Sequence, residues 1–277
     1  MERCVSCAWN DGWVKWNSYI ALGDSFTEGV ADEEVGSRHI GWADRLAAEL
    51  ATRHTGNDFR YANLAIRGRK LPQILSEQVP VAARMNADLV SLAGGVNDAL
   101  RPSWDAHKAE QEINDAVVAL RASGADVLLV AFGDPGIRSR ALGLVSDRLA
   151  IFNQCIRDVA AEHGCYVLDF GDAPAFNDSR LWASDRLHLN PEGHRRTSLG
   201  ALESLGLSSD STWTQDLPES LNNPNFVVRR MKDAEWTVRF LAPWIGRRVT
   251  GRSSGDQVMA KRPSLTPMTA ADLAATR

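Results

Sequence analysis

Apolar and polar positions along the chain alternate between short buried runs and longer amphipathic segments. Apolar runs of strand length occur at residues 19–22, 88–92, 126–132 and 166–169, and a further short strand is predicted at 60–64. Continuous apolar runs of this length are typical of parallel strands that are covered on both faces. The pattern therefore predicts an α/β fold in three layers, with a mostly parallel five-stranded sheet between two layers of helices.

Segments with helical spacing fill the gaps between these strands, at residues 41–54, 70–85, 104–123, 146–163 and 191–205. Asn190 precedes Pro191, a combination that begins a helix because proline has no N–H to lose in the first turn. Gly124 and Gly164 each follow a helical segment and precede a strand, as expected for left-handed helix ends. We expect this fold to be complete near residue 207.

The pattern divides the chain into four parts. Residues 1–17 are predicted to be an N-terminal extension, 18–207 the main domain, and 208–245 a C-terminal extension with a helix at 226–241. Residues 246–277 are basic, rich in Gly, Ser, Pro and Thr, and lack apolar periodicity. We expect that last stretch to be a disordered tail or to lie on the surface.

Net charge, apolar segments and cysteine spacing limit the classes of function that the sequence supports. The formal net charge is −4, which gives no reason to expect a nucleic-acid partner. No secretory signal and no membrane-length apolar segment is present, so a cytoplasmic location is expected. Cys4 and Cys7 form half of a zinc-ligand pattern, but no second pair completes it. We therefore expect a small-molecule partner, no metal and no organic cofactor.

The residues with the clearest chemistry follow the predicted strands. Ser25 comes directly after the first strand, at the sheet edge where open α/β sheets place their ligands. Asp185 precedes His188 by three residues, so one turn can hold a carboxylate against an imidazole that accepts the Ser25 proton. Taken separately, Asp24 or Ser25 is also a common helix cap, and Asp185 with His188 is also a common surface loop contact.

Two further blocks supply candidate donors for an oxyanion. Asn97 follows the strand at 88–92 and carries a side-chain amide, and Gly94 and Gly95 beside it let the backbone approach closely. Gly68 follows the strand at 60–64 and offers its backbone N–H. The alternative for Asn97 is an ordinary turn or cap residue.

These four blocks resemble the SGNH hydrolases, also called GDSL lipases and esterases. The matching stretches are 23–26, with Phe26 where leucine is usual, 63–68, 95–98 and 185–188. The resemblance implies a flavodoxin-like fold with Ser25 as nucleophile, His188 as base and Asp185 as the group that orients it. It also implies that the Ser25 N–H, the Gly68 N–H and the Asn97 side chain form the oxyanion hole.

Two other features are weaker candidates. Gly251, Ser253 and Gly255 fit the Gly-x-Ser-x-Gly elbow of α/β hydrolases, but no histidine follows His194 and the preceding residues make a poor buried strand. Ser253 is therefore not expected to be a nucleophile. His194 is expected to face solvent or to pack on the surface rather than to act as a second base or a metal ligand.

The residues and the resemblance together predict a serine esterase that cleaves carboxylic esters through an acyl-serine intermediate. Short-chain acyl esters, lysophospholipids, acyl thioesters and acetylated sugars all remain open as substrates. The alternatives are an acyltransferase that uses the same acyl-enzyme and a non-catalytic module that binds acyl groups or carbohydrate.

Overall fold

The computed structural model describes residues 14–32, 34–35, 38–56, 58–137, 143–219 and 255–276. The strands are Ser18–Gly23 (β1), Glu34–Val35 (β2), Arg38–His39 (β3), Arg60–Asn63 (β4), Leu89–Ala93 (β5), Asp126–Ala131 (β6), Tyr166–Asp169 (β7) and Arg262–Pro267 (β8). The helices are Ser25–Glu28 (α1), Trp42–Arg53 (α2), Leu71–Gln73 (α3), Val79–Met85 (α4), Val96–Ala99 (α5), Ala106–Ala122 (α6), Ser146–His163 (α7), Pro191–Ser204 (α8) and Ala270–Ala275 (α9). A π-helical turn, Ile74–Gln78, joins α3 to α4.

The main sheet has six strands in the order β7-β6-β5-β1-β4-β8. The first five are parallel neighbours, and β1 lies between β4 and β5. The predicted α/β class is confirmed, but the sheet has one strand more than the five we expected. This sixth strand, β8, runs antiparallel to β4, with Thr266 opposite Tyr61 and Arg262 opposite Asn63.

Side-chain alternation along β1 assigns the two helical layers. Tyr19 and Ala21 point to one face of the sheet and join a core that includes α2 and α8. Ile20 and Leu22 point to the other face and join a core that includes α4, α6 and α7. Successive residues of a strand point to opposite faces, so β1 is buried on both sides.

The helix ends follow the local sequence. The Asn190 side chain accepts the N–H of Gly193 at 3.0 Å, and Pro191 lies in the first turn of α8. Gly164 ends α7 in the left-handed region, with φ at 63°. Within the described ranges, no helix is long and apolar enough to span a membrane.

The N-terminal boundary of the domain lies earlier than the sequence suggested. Val14 and Trp16 belong to the core, with only 8% and 3% of their surface exposed. The Trp16 Nε1 donates to Asp126 Oδ2 at 2.9 Å, and the Asn17 N–H donates to Asp88 Oδ2 at 2.7 Å. Residues 14–17 are therefore part of the packed domain and not of an extension.

The C-terminal tail contains regular structure that the sequence did not predict. Residues 255–276, part of the tail that we expected from 246 onwards to be disordered or surface-laid, include β8 and α9. The sequence does not indicate β8 because an edge strand is paired on one side only and needs no alternation of apolar residues. Pro263 and Pro267 also interrupt the pattern expected of a strand. The predicted helix at 226–241, the Cys4–Cys7 pair and Ser253 lie outside the described residues.

A buried ion pair joins the loop after α1 to α2. The Asp32 carboxylate accepts from Arg45 Nη2 at 3.0 and 3.1 Å, and the side chains are 0% and 8% exposed, respectively. Arg45 Nη1 also donates to the Thr276 carbonyl at 3.0 Å. Removing one partner of a buried pair leaves an uncompensated charge, which is strongly destabilising.

We therefore expect Asp32→Ala to lower the free energy of unfolding by about 3–5 kcal/mol, measured by urea titration with tryptophan fluorescence. Asp58→Ala is the control, because Asp58 is 84% exposed in its pair with His54 and should change the same quantity by less than about 1 kcal/mol. Equal small effects of both substitutions would contradict the expectation.

Candidate active site

Four loops bring the predicted site residues to the carboxyl edge of the sheet. Ser25 begins α1 one residue beyond the end of β1, Gly68 lies in the loop after β4, and Asn97 is the second residue of α5, which follows β5. Asp185 and His188 lie in the loop that leads into α8. The carboxyl ends of parallel strands meet at one edge of a sheet, which explains how residues so distant in sequence converge.

Ser25, His188 and Asp185 form one hydrogen-bonded chain. His188 Nε2 lies 2.9 Å from Ser25 Oγ, and His188 Nδ1 lies 2.6 Å from Asp185 Oδ2. The other Asp185 oxygen accepts the backbone N–H groups of Leu187 and His188, each at 3.0 Å. These backbone bonds fix the carboxylate against the ring.

The hydrogen-bonding partners also define the tautomer of the neutral His188 ring. An ionised carboxylate only accepts hydrogen bonds, so Nδ1 must carry the proton that faces Asp185. Nε2 of the neutral ring is then free to accept from the Ser25 hydroxyl. Burial alone would raise the pKa of Asp185, but the hydrogen bond and charge of His188 and the two backbone donors outweigh it and hold that pKa below its usual value. Asp185 therefore stays ionised at neutral pH.

The turn before Ser25 requires glycine at position 23. Gly23 has φ at 150°, and a Cβ there would lie 2.2 Å from the Ala93 carbonyl oxygen and 2.7 Å from Thr27 Oγ1. No other residue fits between β5 and α1 without displacing one of them. The sharp exit from β1 presents Ser25 at the start of α1.

Gln78 holds the same turn, a contact that the sequence did not indicate. Its side chain accepts the Gly23 N–H and donates to the Gly23 carbonyl, both at 2.9 Å, and it is buried. Gln78 is the last residue of the π-helical turn, a deviation that is often found at functional sites. A lone glutamine in a helical segment has no sequence signal that would separate this role from a surface position.

Two backbone N–H groups near Ser25 have no acceptor. Across the described part of the chain, neither the Ser25 N–H nor the Gly68 N–H donates a hydrogen bond. Gly68 adopts φ at 76°, a conformation that suits glycine. The loop that carries it is tied to the nucleophile turn, since the Ile66 N–H donates to the Gly23 carbonyl at 3.2 Å. Both groups are available to a developing negative charge.

Asn97 is committed to two acceptors in this structure. Its Nδ2 donates to Asp24 Oδ2 at 2.8 Å and to the Arg69 carbonyl at 3.1 Å, and the other Asp24 oxygen accepts the Phe26 N–H at 3.1 Å. Burial raises the pKa of Asp24 to about 6, against the opposing effect of these donors. The amide thus links the nucleophile turn to the loop that holds Gly68.

Phe26 and His194 pack behind the nucleophile. The Phe26 ring lies 5.7 Å from the Trp42 ring and 5.5 Å from the Phe132 ring, so the large side chain that replaces the usual leucine fills an aromatic layer. His194 is fully buried, and its Nδ1 accepts the Trp42 N–H at 3.2 Å. Our expectation that His194 lies at the surface was wrong. Burial lowers its pKa to about 3, so the ring is neutral.

A family model confirms the resemblance seen in the sequence. The chain belongs to the GDSL-like Lipase/Acylhydrolase family, whose model matches residues 21–196. This range contains Ser25, Gly68, Asn97, Asp185 and His188. The protein is therefore a hydrolase that acts on ester bonds, as the sequence predicted.

Solved structures with the same fold are distant in sequence. TesA is 22% identical, with a TM-score of 0.55 over 68% of this chain and 97% of its own. LAE5, an alpha/beta hydrolase enzyme from the metagenome of Lake Arreo, is 20% identical, with a TM-score of 0.55 over 68% and 94%. Axe2, an acetylxylan esterase from Geobacillus stearothermophilus, is 16% identical, with a TM-score of 0.56 over 72% and 96%. No curated protein matches this chain in sequence.

Proposed function

We propose that the protein hydrolyses carboxylic esters through an acyl-Ser25 intermediate. The observation that carries this proposal is the position of His188, whose two ring nitrogens bond Ser25 Oγ at 2.9 Å and Asp185 Oδ2 at 2.6 Å. A nucleophile, a base within hydrogen-bond reach of it, and a third group that orients the base are the parts that acyl transfer requires.

In the acylation step, Ser25 Oγ attacks the ester carbonyl carbon while His188 Nε2 takes the hydroxyl proton. Asp185 stabilises the imidazolium that results and keeps Nδ1 protonated. The carbonyl oxygen becomes an oxyanion, and the N–H groups of Ser25 and Gly68 are its proposed donors. When the C–O bond to the leaving group breaks, the His188 imidazolium returns its proton to the departing alkoxide, and the alcohol leaves.

Deacylation repeats these steps with water as the nucleophile. His188 Nε2 removes a proton from a water molecule that attacks the acyl-Ser25 carbonyl. The second tetrahedral intermediate uses the same donors, and its collapse breaks the bond to Ser25 Oγ. His188 then reprotonates Ser25, which releases the carboxylic acid and restores the free enzyme.

The proposed substrate class is a carboxylic ester with a short-chain or lipid-like acyl group. A fold neighbour described as an acetylxylan esterase supports the short-chain side of this range. Hydrolysis of p-nitrophenyl acetate, butyrate, octanoate and palmitate measures the acyl length that the enzyme accepts. We expect kcat/KM to be highest for the two shorter esters.

Covalent capture tests the acyl-serine step directly. We expect a fluorophosphonate to label the protein once per chain, and peptide mass spectrometry to place the label on Ser25. Ser25→Ala should take up none, while Ser76→Ala, which changes an exposed serine, should label like the wild type. A label on another residue, or full labelling of Ser25→Ala, would refute the proposed nucleophile.

Asn97 is the third proposed donor, and it must give up the Arg69 carbonyl before it can reach an oxyanion. We expect Asn97→Ala to lower kcat by about 10²- to 10³-fold, the usual effect of losing one such donor. Steady-state kinetics on p-nitrophenyl butyrate measures this. Asn114→Ala, which removes an amide bonded to His163 instead, is the control. Unchanged kcat in Asn97→Ala would exclude Asn97 from the oxyanion hole.

A further inference from the structure

A C-terminal segment outside the range matched by the family model packs against the proposed oxyanion loop. The model match ends at residue 196, whereas β8 begins at Arg262 and pairs with Asn63 at the end of β4. This pairing places residues 255–261 beside the loop that leaves β4 and carries Gly68. The segment is thus adjacent to the site although it is distant from it in sequence.

Gly255 touches the peptide unit whose N–H is the proposed oxyanion donor. A Cβ on Gly255 would lie 2.1 Å from the Arg67 carbonyl oxygen and 2.9 Å from Ile66 Cγ2. The Arg67 carbonyl and the Gly68 N–H belong to one planar trans peptide, in which the C=O and N–H point in opposite directions. Contact with Gly255 on the carbonyl side therefore helps to set the direction of the N–H.

Lys261 is connected through Glu28 to the preceding peptide, which carries the Arg67 N–H. Its Nζ donates to the Glu28 carbonyl at 2.6 Å, to the His39 carbonyl at 2.9 Å and to the Asp44 carboxylate. An ammonium group has three donors, so all of them are used. This contact holds the end of α1, the helix that begins with Ser25.

The Glu28 side chain connects α1 to Arg67. Its Oε2 accepts the Arg67 N–H at 2.6 Å, and the carboxylate also pairs with the Arg67 guanidinium. The Glu28 side chain is 6% exposed and the Arg67 side chain 28%, so the carboxylate end of the pair is buried. The peptide before Arg67 is thus fixed by α1, and the peptide after it is fixed by the C-terminal segment.

We propose that Gly255 and Lys261 are positioning residues for ester hydrolysis, which hold the Arg67–Gly68 peptide and α1 in the orientation that serves the oxyanion. The C-terminal segment therefore contributes to the active site by positioning these backbone groups. This inference rests on the proposed function, because it assigns the Gly68 N–H to the oxyanion. It predicts that a change at residue 255 alters turnover more than substrate binding.

The test compares Gly255→Ala and Lys261→Met with Met259→Ala in the full chain. Alanine at position 255 acts on the contact with Arg67, because its Cβ would lie 2.1 Å from the Arg67 carbonyl oxygen. Met259 lies in the same segment but is 87% exposed. For each variant, kcat per fluorophosphonate-titrated site, KM, and the Ki of a trifluoromethyl ketone that forms a tetrahedral adduct are measured.

We expect Gly255→Ala to lower kcat by about 10²-fold, as a misplacement near 1 Å does elsewhere. Ki for the ketone should rise in parallel, with KM within about threefold. Lys261→Met should lower kcat by about 10-fold, and Met259→Ala should match the wild type. A role in folding alone would reduce the number of titratable sites but leave kcat per site unchanged, and that result would overturn the proposal.

If Gly255→Ala does not fold, the kcat per titrated site, the KM and the ketone Ki of Lys261→Met test the proposal instead. Wild-type kcat and Ki per titrated site in the folded variants would refute the inference. Ser25→Ala, assayed in parallel, distinguishes failure of this inference from failure of the proposed function. If Ser25→Ala retained activity, the acyl-serine mechanism itself would be wrong.

Discussion

Ser25→Ala is expected to lower kcat for p-nitrophenyl butyrate by about 10⁶-fold, since it removes the atom that forms the acyl bond. Among the described residues, the hydroxyl is hydrogen-bonded to one base, His188. Groups that act as a unit are not additive, so Ser25→Ala and Ser25→Ala/His188→Ala should have the same residual rate. Stopped assays at high enzyme concentration measure these rates.

The controls for this result are the melting temperature of Ser25→Ala and the activity of Ser76→Ala. Ser25 makes its side-chain hydrogen bond only to His188 among the described residues, so its removal should leave the melting temperature within a few degrees of the wild type. Ser76→Ala should retain full activity. A Ser25→Ala protein that remains folded and hydrolyses the ester at more than a thousandth of the wild-type rate would contradict the mechanism.

Asp185→Asn is expected to lower kcat by about 10⁴-fold while the fold is kept. The asparagine oxygen can still accept the backbone N–H groups of Leu187 and His188, as Asp185 Oδ1 does. Its NH₂ group then faces His188 Nδ1, and this stabilises the tautomer that carries its proton on Nε2. That proton points at Ser25 Oγ, so the ring can no longer accept from it.

The matched control is Asp210→Asn. Asp210 Oδ1 accepts the Thr212 N–H at 2.9 Å in the same two-residue pattern that Asp185 makes with Leu187, but it caps the turn that precedes Thr214. We expect wild-type kcat from Asp210→Asn in the same p-nitrophenyl butyrate assay. If both asparagine variants were equally active, Asp185 would have no part in orienting His188.

The sequence could predict those parts of the fold that repeat a local pattern. The strands at β1, β5, β6 and β7 are fully or largely apolar runs, and the ends of α7 and α8 carry Gly164 and Asn190. β8 has no such pattern because its exposed side faces solvent and its pairing depends on β4, about 200 residues away. His194 was misplaced for a similar reason, since its neighbours Arg195 and Glu192 are polar and its contacts are with Phe26 and Trp42, which are distant in sequence.

The sequence predicted the residues whose own side chains carry the proposed chemistry, but it did not predict the residues that hold them in place. Ser25, Asp185 and His188 stand in short blocks with a family resemblance. Gln78 and Lys261 act on the backbone of Gly23 and Glu28, which are far from them in sequence. A single glutamine or lysine has many ordinary surface roles, so only the folded arrangement separates these two from the rest.

The pairing of β8 with β4 also sets an order of events during synthesis. β4 leaves the ribosome about 200 residues before β8, which at 5–20 residues per second is roughly 10–40 s. For that interval β4 is the edge of the nascent sheet, and an unpaired edge is open to strands from other chains. Pairing with β8 therefore closes an edge of the sheet that would otherwise stay open to strands of other chains.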